Sequence, residues 1–267
     1  MPRQLSDVLH HFGPELARPT GSTSDQQEPS IPTSSTSPFA PQIVGVPIGD
    51  RDVVRAAFTW NLAVEIARLG GRATVIAPDD GNPSPLWPRA GAGPLGVQLR
   101  PTLANDLNSL DRIAQETAST TALRNDELGL IFVRIPPHWL TAGHSDLGLL
   151  RWTLLLSSSR RSDLKEILEN TKMIMQSQPQ ARVGITIHGA ECRREAETAF
   201  ERVARASRRD LGHDVRSYGL LVDDLHVYRA IVAQRPIGLA HPQSPAARAL
   251  RDVAQLLISD ARQDPLG

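Results

Sequence analysis

The chain has 267 residues, of which 40% are hydrophobic and 22% are charged, and these proportions are ordinary for a globular protein. Its 29 basic and 29 acidic residues give a formal net charge of zero, so the composition offers no electrostatic reason to expect nucleic-acid binding. The single cysteine, Cys192, excludes an internal disulfide and favours a cytoplasmic location. No stretch approaches the ~20 apolar residues of a membrane-spanning helix, so stable membrane insertion is not expected.

The first 42 residues are predicted to form an extension ahead of the folded domain. Apolar residues at helical spacing predict a short amphipathic helix within residues 1–17. Residues 18–42 are rich in Ser, Thr and Pro and almost free of aliphatic side chains, which predicts a disordered linker. A short helix on a flexible tether indicates a segment that binds a partner protein, and a tail that docks on its own domain is the alternative. The apolar face of this helix consists of Leu5, Val8, Leu9 and Phe12.

From residue 43 onwards, short apolar or β-branched runs alternate with longer helical patterns. This alternation predicts a doubly wound α/β domain over residues 43–261, with a mostly parallel sheet covered on both faces by helices, and a short tail at 262–267. Residues 80–96 contain many Gly and Pro residues and predict a surface loop. The predicted strands are 43–47, 73–77, 129–135, 152–157, 182–187 and 216–221. The predicted helices are 54–69, 105–122, 161–177, 190–211, 224–233 and 244–261.

Several segments resemble a known family in their order and spacing. Residues 61–80, NLAVEIARLGGRATVIAPDD, resemble the helix and strand that follow the P-loop in the MinD/ParA family of deviant Walker ATPases. Residues 217–237 resemble that family's strand, Asp-bearing loop and following helix near the end of the domain. Residues 182–211 are most similar to FlhG-like members. The resemblance covers roughly residues 42–258 and implies a P-loop NTPase-like fold of the SIMIBI class.

Within this resemblance, the loop after the first strand lacks the residues that hold a nucleoside triphosphate. Arg55 stands at the position of the P-loop lysine, and Ala56 replaces the hydroxyl residue that binds Mg²⁺. Asp50 replaces the family's signature lysine and Asp52 replaces a glycine, which leaves Gly49 as the remaining glycine of the loop. A P-loop needs flexible glycines, a lysine on the phosphates and a hydroxyl on the metal ion. The sequence therefore predicts a degenerate nucleotide site.

Two positions outside this loop also depart from the family pattern. Arg134 stands where the resemblance implies an acidic Mg²⁺ partner, and His188 corresponds to the base-binding asparagine. The chain's two lysines, Lys165 and Lys172, both lie in the predicted helix 161–177, so neither replaces the missing P-loop lysine. These departures predict that ATPase activity is lost, that no cofactor or metal ion is used, and that no nucleotide-dependent homodimer forms.

The function favoured at this point is that of a non-catalytic MinD/ParA/FlhG-like interaction or regulatory scaffold. Its role would lie in cell-pole, flagellar or envelope-assembly positioning. The protein itself would be cytoplasmic and would be recruited to a membrane-associated complex. Its partner would be another protein, bound through the N-terminal helix. The alternative is a divergent ATP-binding protein or ATPase that binds ATP or ADP with Mg²⁺ through Arg55 or through a residue supplied by a partner.

Overall fold

The computed structural model describes residues 40–48, 53–79, 88–121, 127–142 and 146–263. The strands of this part of the chain are β1 (Gln42–Pro47), β2 (Arg72–Pro78), β3 (Gly91–Ala92), β4 (Gln98–Thr102), β5 (Gly129–Ile135), β6 (Trp152–Ser158), β7 (Arg182–Ala190) and β8 (Arg216–Val222). Its α-helices are α1 (Val53–Arg68), α2 (Leu107–Thr120), α3 (Arg161–Ser177), α4 (Arg193–Leu211), α5 (Leu225–Val232), α6 (Ile237–Ala240) and α7 (Pro245–Gln263).

The strands form one sheet in the order β3-β4-β2-β5-β1-β6-β7-β8. Seven strands run parallel, and the two-residue β3 pairs antiparallel with β4 at one edge. The order reverses around β1, because β2 lies on one side of it and β6 on the other. Ligands of such sheets bind beyond the carboxyl ends of the strands near this reversal. The predicted doubly wound, mostly parallel α/β fold is confirmed.

Helices cover both faces of the sheet and enclose two apolar cores. Helices α1 and α7 pack on one face, where Leu62 and Leu257 are fully buried. Helices α2, α3 and α4 cover the other face, where Leu110 and Ile174 are fully buried. Strands β5 and β6 are buried along their whole length, which explains why near-continuous apolar runs predict them. Within the described ranges, no helix is both long and apolar enough to cross a membrane.

The predicted and observed bounds of these elements agree within three residues at each end. The sequence does not predict β3, which lies inside the expected surface loop 80–96, or β4, whose residues QLRPT contain no apolar run. Helix α7 continues through Gln263, two residues into the expected tail, and Gln42 of the expected linker begins β1. The predicted N-terminal helix lies outside the described residues.

A buried polar network fastens α7 to the sheet. The Tyr218 hydroxyl of β8 donates to Asp260 Oδ2 of α7 at 2.6 Å, and Trp152 Nε1 of β6 donates to the Tyr218 oxygen at 3.2 Å. Burial and, after it, the Asp260 carboxylate raise the pKa of the Tyr218 hydroxyl well above its usual 10.0. Gly184 of β7 leaves room for this tyrosine, because a Cβ atom there would collide with the ring. The network links β6, β8 and the last helix through the Tyr218 side chain.

Candidate functional site

A cleft of about 260 Å³ opens beyond the carboxyl ends of β6, β7 and β8. The first turns of α1 contribute Ala57 and Phe58 to its wall, and α5 contributes Tyr228. The ends of β7 and β8 contribute His188 and Leu221, which are register partners in the sheet. The position agrees with the general placement of ligand sites in doubly wound sheets. This cleft is the candidate functional site.

Arg55 lies beside the cleft in an ion-pair network that we call the Arg55 cluster, formed by Arg55, Asp163, Glu166 and His188. Its Nη2 atom is 2.8 Å from Asp163 Oδ2, and its Nη1 atom is 3.4 Å from Glu166 Oε2. Its Nε atom donates to His188 Nε2 at 3.3 Å. Each of the three guanidinium nitrogens therefore already has a protein partner, and the side chain is only 14% exposed. An incoming phosphate would have to displace two carboxylates from Arg55.

Asp163 is held in its charged form by the groups around it. Burial alone would raise the pKa of Asp163, but hydrogen bonds from Ser158 and Ser162 and the charge of Arg55 outweigh it and lower the pKa below its usual 3.8. Ser158 Oγ donates to Asp163 Oδ2 at 2.6 Å, a distance typical of a strong hydrogen bond to an ionised carboxylate oxygen. Asp163 therefore remains a carboxylate at neutral pH and neutralises much of the Arg55 charge.

His188 joins the end of β7 to the Arg55 cluster. Because its Nε2 atom accepts a hydrogen bond from Arg55 Nε, this geometry requires the neutral tautomer with the ring hydrogen on Nδ1. The structure thus brings together two of the residues singled out by sequence, Arg55 and His188. It adds Ser158 and, without any signal in the sequence, Asp163 and Glu166.

One cation near the cleft has no carboxylate partner. Arg160 lines the cleft at the start of α3, its side chain is exposed, and it forms no ion pair within the described ranges. Its neighbour Arg161 lines a different groove, between α3 and α4. Arg160 is therefore available to an anionic group of a ligand in the cleft, whereas Arg55 is not.

The side of the cleft beside α5 combines apolar and acidic groups. Leu221 and Tyr228 line it together with Asp223 and Asp224. Asp224 caps α5 by accepting from the backbone of His226 at 2.9 Å, and it also accepts from the backbone of Ala246 at 3.1 Å. Burial raises the pKa of Asp224, but these hydrogen bonds outweigh the burial and lower it. Asp224 therefore holds local structure, while the exposed Asp223 is available to a ligand.

Arg134 does not line this cleft. It lies next to Val46 in the sheet register, at the end of β5, and it is only 7% exposed. It lines a second cleft, of about 340 Å³, together with Asp79, His138 and Trp139. A buried cation thus stands where the resemblance implies an acidic Mg²⁺ partner. The described part of the chain contains no group of three His, Cys, Asp or Glu side chains that could hold a metal ion.

Most of the remaining predicted site residues lie outside the part of the chain that the structure describes. Gly49, Asp50 and Asp52 lie outside the described residues, as do Leu5, Val8, Leu9 and Phe12. Ala56 lies in the first turns of α1. The proposed degeneracy of the P-loop therefore stays a prediction from the sequence.

Comparison with known proteins gives similarity in structure alone. No family model matches the chain, and no curated protein matches it. MinD from Aquifex aeolicus is similar with a TM-score of 0.60 and 13% identity, over 82% of this chain and 97% of that one. A ParA family ATPase from Chlorobium tepidum gives 0.57 and 12%, over 82% and 99%. MinD from Pyrococcus horikoshii, complexed with Mg-ADP, gives 0.56 and 13%, over 81% and 95%.

These similarities show that the chain has the MinD/ParA-type fold, which confirms the family resemblance at the level of architecture. They correct one expectation. The prediction that no cofactor is used is wrong, because a solved protein of this fold is a complex with Mg-ADP. The expectation was drawn from the replaced P-loop residues, which concern the phosphates and the metal ion and not the base.

Proposed function

We propose that this chain is a MinD/ParA-fold regulatory protein that binds an adenine nucleotide in the cleft and does not hydrolyse it. The observation that carries the proposal is the Arg55 cluster. At the position of the P-loop lysine, the basic side chain is paired with Asp163 at 2.8 Å and with Glu166 at 3.4 Å. The positive charge that would hold a phosphate is therefore already neutralised by two carboxylates, whereas the neighbouring cleft remains open to the rest of a nucleotide.

Hydrolysis of ATP requires positive charge on the γ-phosphate and a correctly held Mg²⁺ ion. The Arg55 guanidinium has its nitrogens engaged, and a planar guanidinium does not replace a compact ammonium group at this position. Carboxylates as close as those of Asp163 and Glu166 repel a triphosphate. Arg134 adds a buried cation where a metal-binding acid would be needed. A Mg²⁺-triphosphate does not fit these residues as they are paired.

The nucleoside part of the ligand fits the cleft better. Phe58, Leu221 and Tyr228 offer apolar surface to a base, and Asp223 offers acceptor oxygens to amino or hydroxyl groups. Arg160 offers a guanidinium to a phosphate at the edge of the cleft. The cleft volume of about 260 Å³ lies just below the ~300–1,000 Å³ typical of ligand pockets. This size favours a compact ligand such as ADP or AMP.

Isothermal titration calorimetry tests nucleotide binding directly. ADP is expected to bind with a Kd of about 10–100 µM, which corresponds to roughly −5.5 to −7 kcal/mol. The Kd should be the same with and without Mg²⁺, because no metal-binding acid is expected at the phosphates. Absence of binding for both ADP and ATP up to millimolar concentration would contradict the proposal. A strong dependence of the Kd on Mg²⁺ would favour the divergent ATPase instead.

The regulatory part of the proposal is that a partner protein is bound through the N-terminal helix. Its apolar face, Leu5, Val8, Leu9 and Phe12, would be the contact surface. A role in cell-pole, flagellar or envelope-assembly positioning is supported by the similarity of residues 182–211 to FlhG-like members. Deleting residues 1–17 should abolish capture of the partner in a pull-down while the α/β domain stays folded, as judged by circular dichroism, and retained capture would exclude this contact.

A further inference from the structure

Helix α5 exposes a row of large apolar side chains on one face. Leu225 is 61% exposed, Tyr228 is 49% exposed and Val232 is 70% exposed. Their spacing of three and then four residues places them on the same side of the helix. Ala230 and Ile231, on the other side, are buried in the domain. We call Leu225, Tyr228 and Val232 the α5 stripe.

This stripe is unusual for the molecule. In the described part of the chain, two other large apolar side chains are exposed, Leu95 and Leu103, and both are near β4 at the other side of the sheet. Three such side chains in a row on one short helix form a local apolar surface, and surfaces of this kind commonly mark contact sites.

We propose that the occupant of the α5 stripe is the chain's own N-terminal segment, Leu5–Phe12. The two surfaces match in length, because the apolar residues of each span seven positions, or about 10 Å along a helix. The segment offers Leu5, Val8, Leu9 and Phe12 at positions i, i+3, i+4 and i+7. Such a face needs an apolar surface of equal length to be covered.

The chain between the two surfaces has the right length for this contact. The described residues begin at Ala40, next to the start of β1, so residues 13–39 form the tether. Helix α5 follows β8, which lies three strands from β1, or about 14 Å across the sheet, and at the opposite end of the strands. The sequence predicts a disordered linker over residues 18–42, and a disordered chain as long as residues 13–39 has a root-mean-square span of roughly 30 Å. The segment therefore reaches the α5 stripe without stretching, at an effective concentration in the millimolar range.

Docking at this place would couple the segment to the cleft, because Tyr228 belongs to both the stripe and the cleft wall. The inference rests on the proposed function in one respect, because the segment that docks on the α5 stripe is also the segment proposed to bind a partner protein. A partner that takes the segment would uncover the α5 stripe and one edge of the cleft. The docking itself needs neither nucleotide nor partner, so it can be tested without them.

Disulfide trapping in the full chain tests the docking. In a Cys192→Ser background, Leu9→Cys is combined with Val232→Cys in one protein and with Leu103→Cys in the other. Leu103 is a matched control, because it is an exposed leucine that follows the carboxyl end of β4, as α5 follows the carboxyl end of β8. Strand β4 also lies three strands from β1, on the side opposite to β8. The tether therefore offers both positions similar chances of random encounter. Docking predicts that mild oxidation forms the intramolecular disulfide at least about tenfold faster with Val232→Cys.

A second pair of variants distinguishes specific docking of the segment from random encounter of the two cysteines. Adding Phe12→Asp to the Val232→Cys protein should remove the excess rate, whereas His10→Asp, on the polar face of the segment, should leave it in place. Equal rates for the Val232→Cys and Leu103→Cys proteins would overturn the proposal. Disulfides formed between two molecules instead of within one would also overturn it, because they would assign the stripe to a second copy of the chain.

Discussion

Arg55 Nη2 and Asp163 Oδ2 lie 2.8 Å apart, although the two residues are separated by 108 positions in the chain. This contact joins the first turns of α1 to the first turn of α3 beside the cleft. It places a carboxylate on the basic group that would otherwise face a phosphate. The consequence for nucleotide chemistry can be measured by removing the carboxylate.

The substitution Asp163→Asn should strengthen ADP binding. Removing the negative charge leaves Arg55 more available to phosphate, and a charge-assisted bond of this kind should tighten the Kd by about three- to tenfold. Calorimetric titration of ADP measures the change. Glu166→Gln is the matched control, because Glu166 is farther from Arg55, at 3.4 Å, and 46% exposed. An equal or larger gain with Glu166→Gln would show that Asp163 is not the main competitor.

The contribution of Asp163 to folding should depend on pH in one direction. Its pKa is lowered in the folded protein, so its stabilisation is present above its usual pKa of 3.8 and is lost as the pH falls through the lower folded value. The difference in free energy of unfolding between the wild type and Asp163→Asn should therefore be constant from pH 5 to pH 8 and shrink below pH 4. Urea unfolding over this range provides the measurement, and a difference that grows at acid pH would contradict the assignment.

Arg160 should contribute to nucleotide affinity. Arg160→Ala removes a guanidinium that has no carboxylate partner and lines the cleft, and the Kd for ADP should rise by about tenfold, or roughly 1.4 kcal/mol. Arg161→Ala removes the same charge from the next residue, which faces the groove between α3 and α4. If both variants weaken binding equally, the effect is one of general charge and Arg160 does not contact the ligand.

Tyr218→Phe should destabilise the fold by about 1–3 kcal/mol, because it leaves Asp260 and Trp152 Nε1 without their buried partner. Tyr228→Phe is the control, since Tyr228 is the chain's other tyrosine and is half exposed. Because the pKa of Tyr218 is raised in the folded state, its stabilisation is present below pH 10 and is lost as the pH rises further. In the Tyr228→Phe protein, tyrosinate absorbance at pH 10.5 should appear only on unfolding.

The sequence predicts most of the fold because burial on both faces of a parallel sheet demands long apolar runs. Both bounds of β5 follow from GLIFVRI, and both bounds of α3 follow from its helical periodicity. It does not predict β4, because a strand covered only by the two-residue β3 on its outer side has few buried side chains, and Leu99 is the one buried residue of QLRPT.

The candidate site is less predictable than the fold. The resemblance singles out Arg55 and His188, and the structure places His188 in the wall of the cleft and Arg55 in contact with it. Asp163 has no such signal, because an acidic residue in the first turn of a helix is ordinary and its contact with Arg55 depends on the packing of distant elements. The sequence does not predict the α5 stripe either, since most residues of LHVYRAIV are apolar and their pattern does not show which of them are buried.

Phosphate release from ATP in the presence of Mg²⁺ tests the central claim most directly. The full-length chain, Arg55→Ala and Asp163→Asn are compared under conditions in which calorimetry shows the nucleotide to be bound. Binding without hydrolysis predicts that all three proteins release phosphate at the rate of buffer alone. Mg²⁺-dependent release by the wild type that Arg55→Ala abolishes would contradict the account, because it would make Arg55 a working replacement for the P-loop lysine.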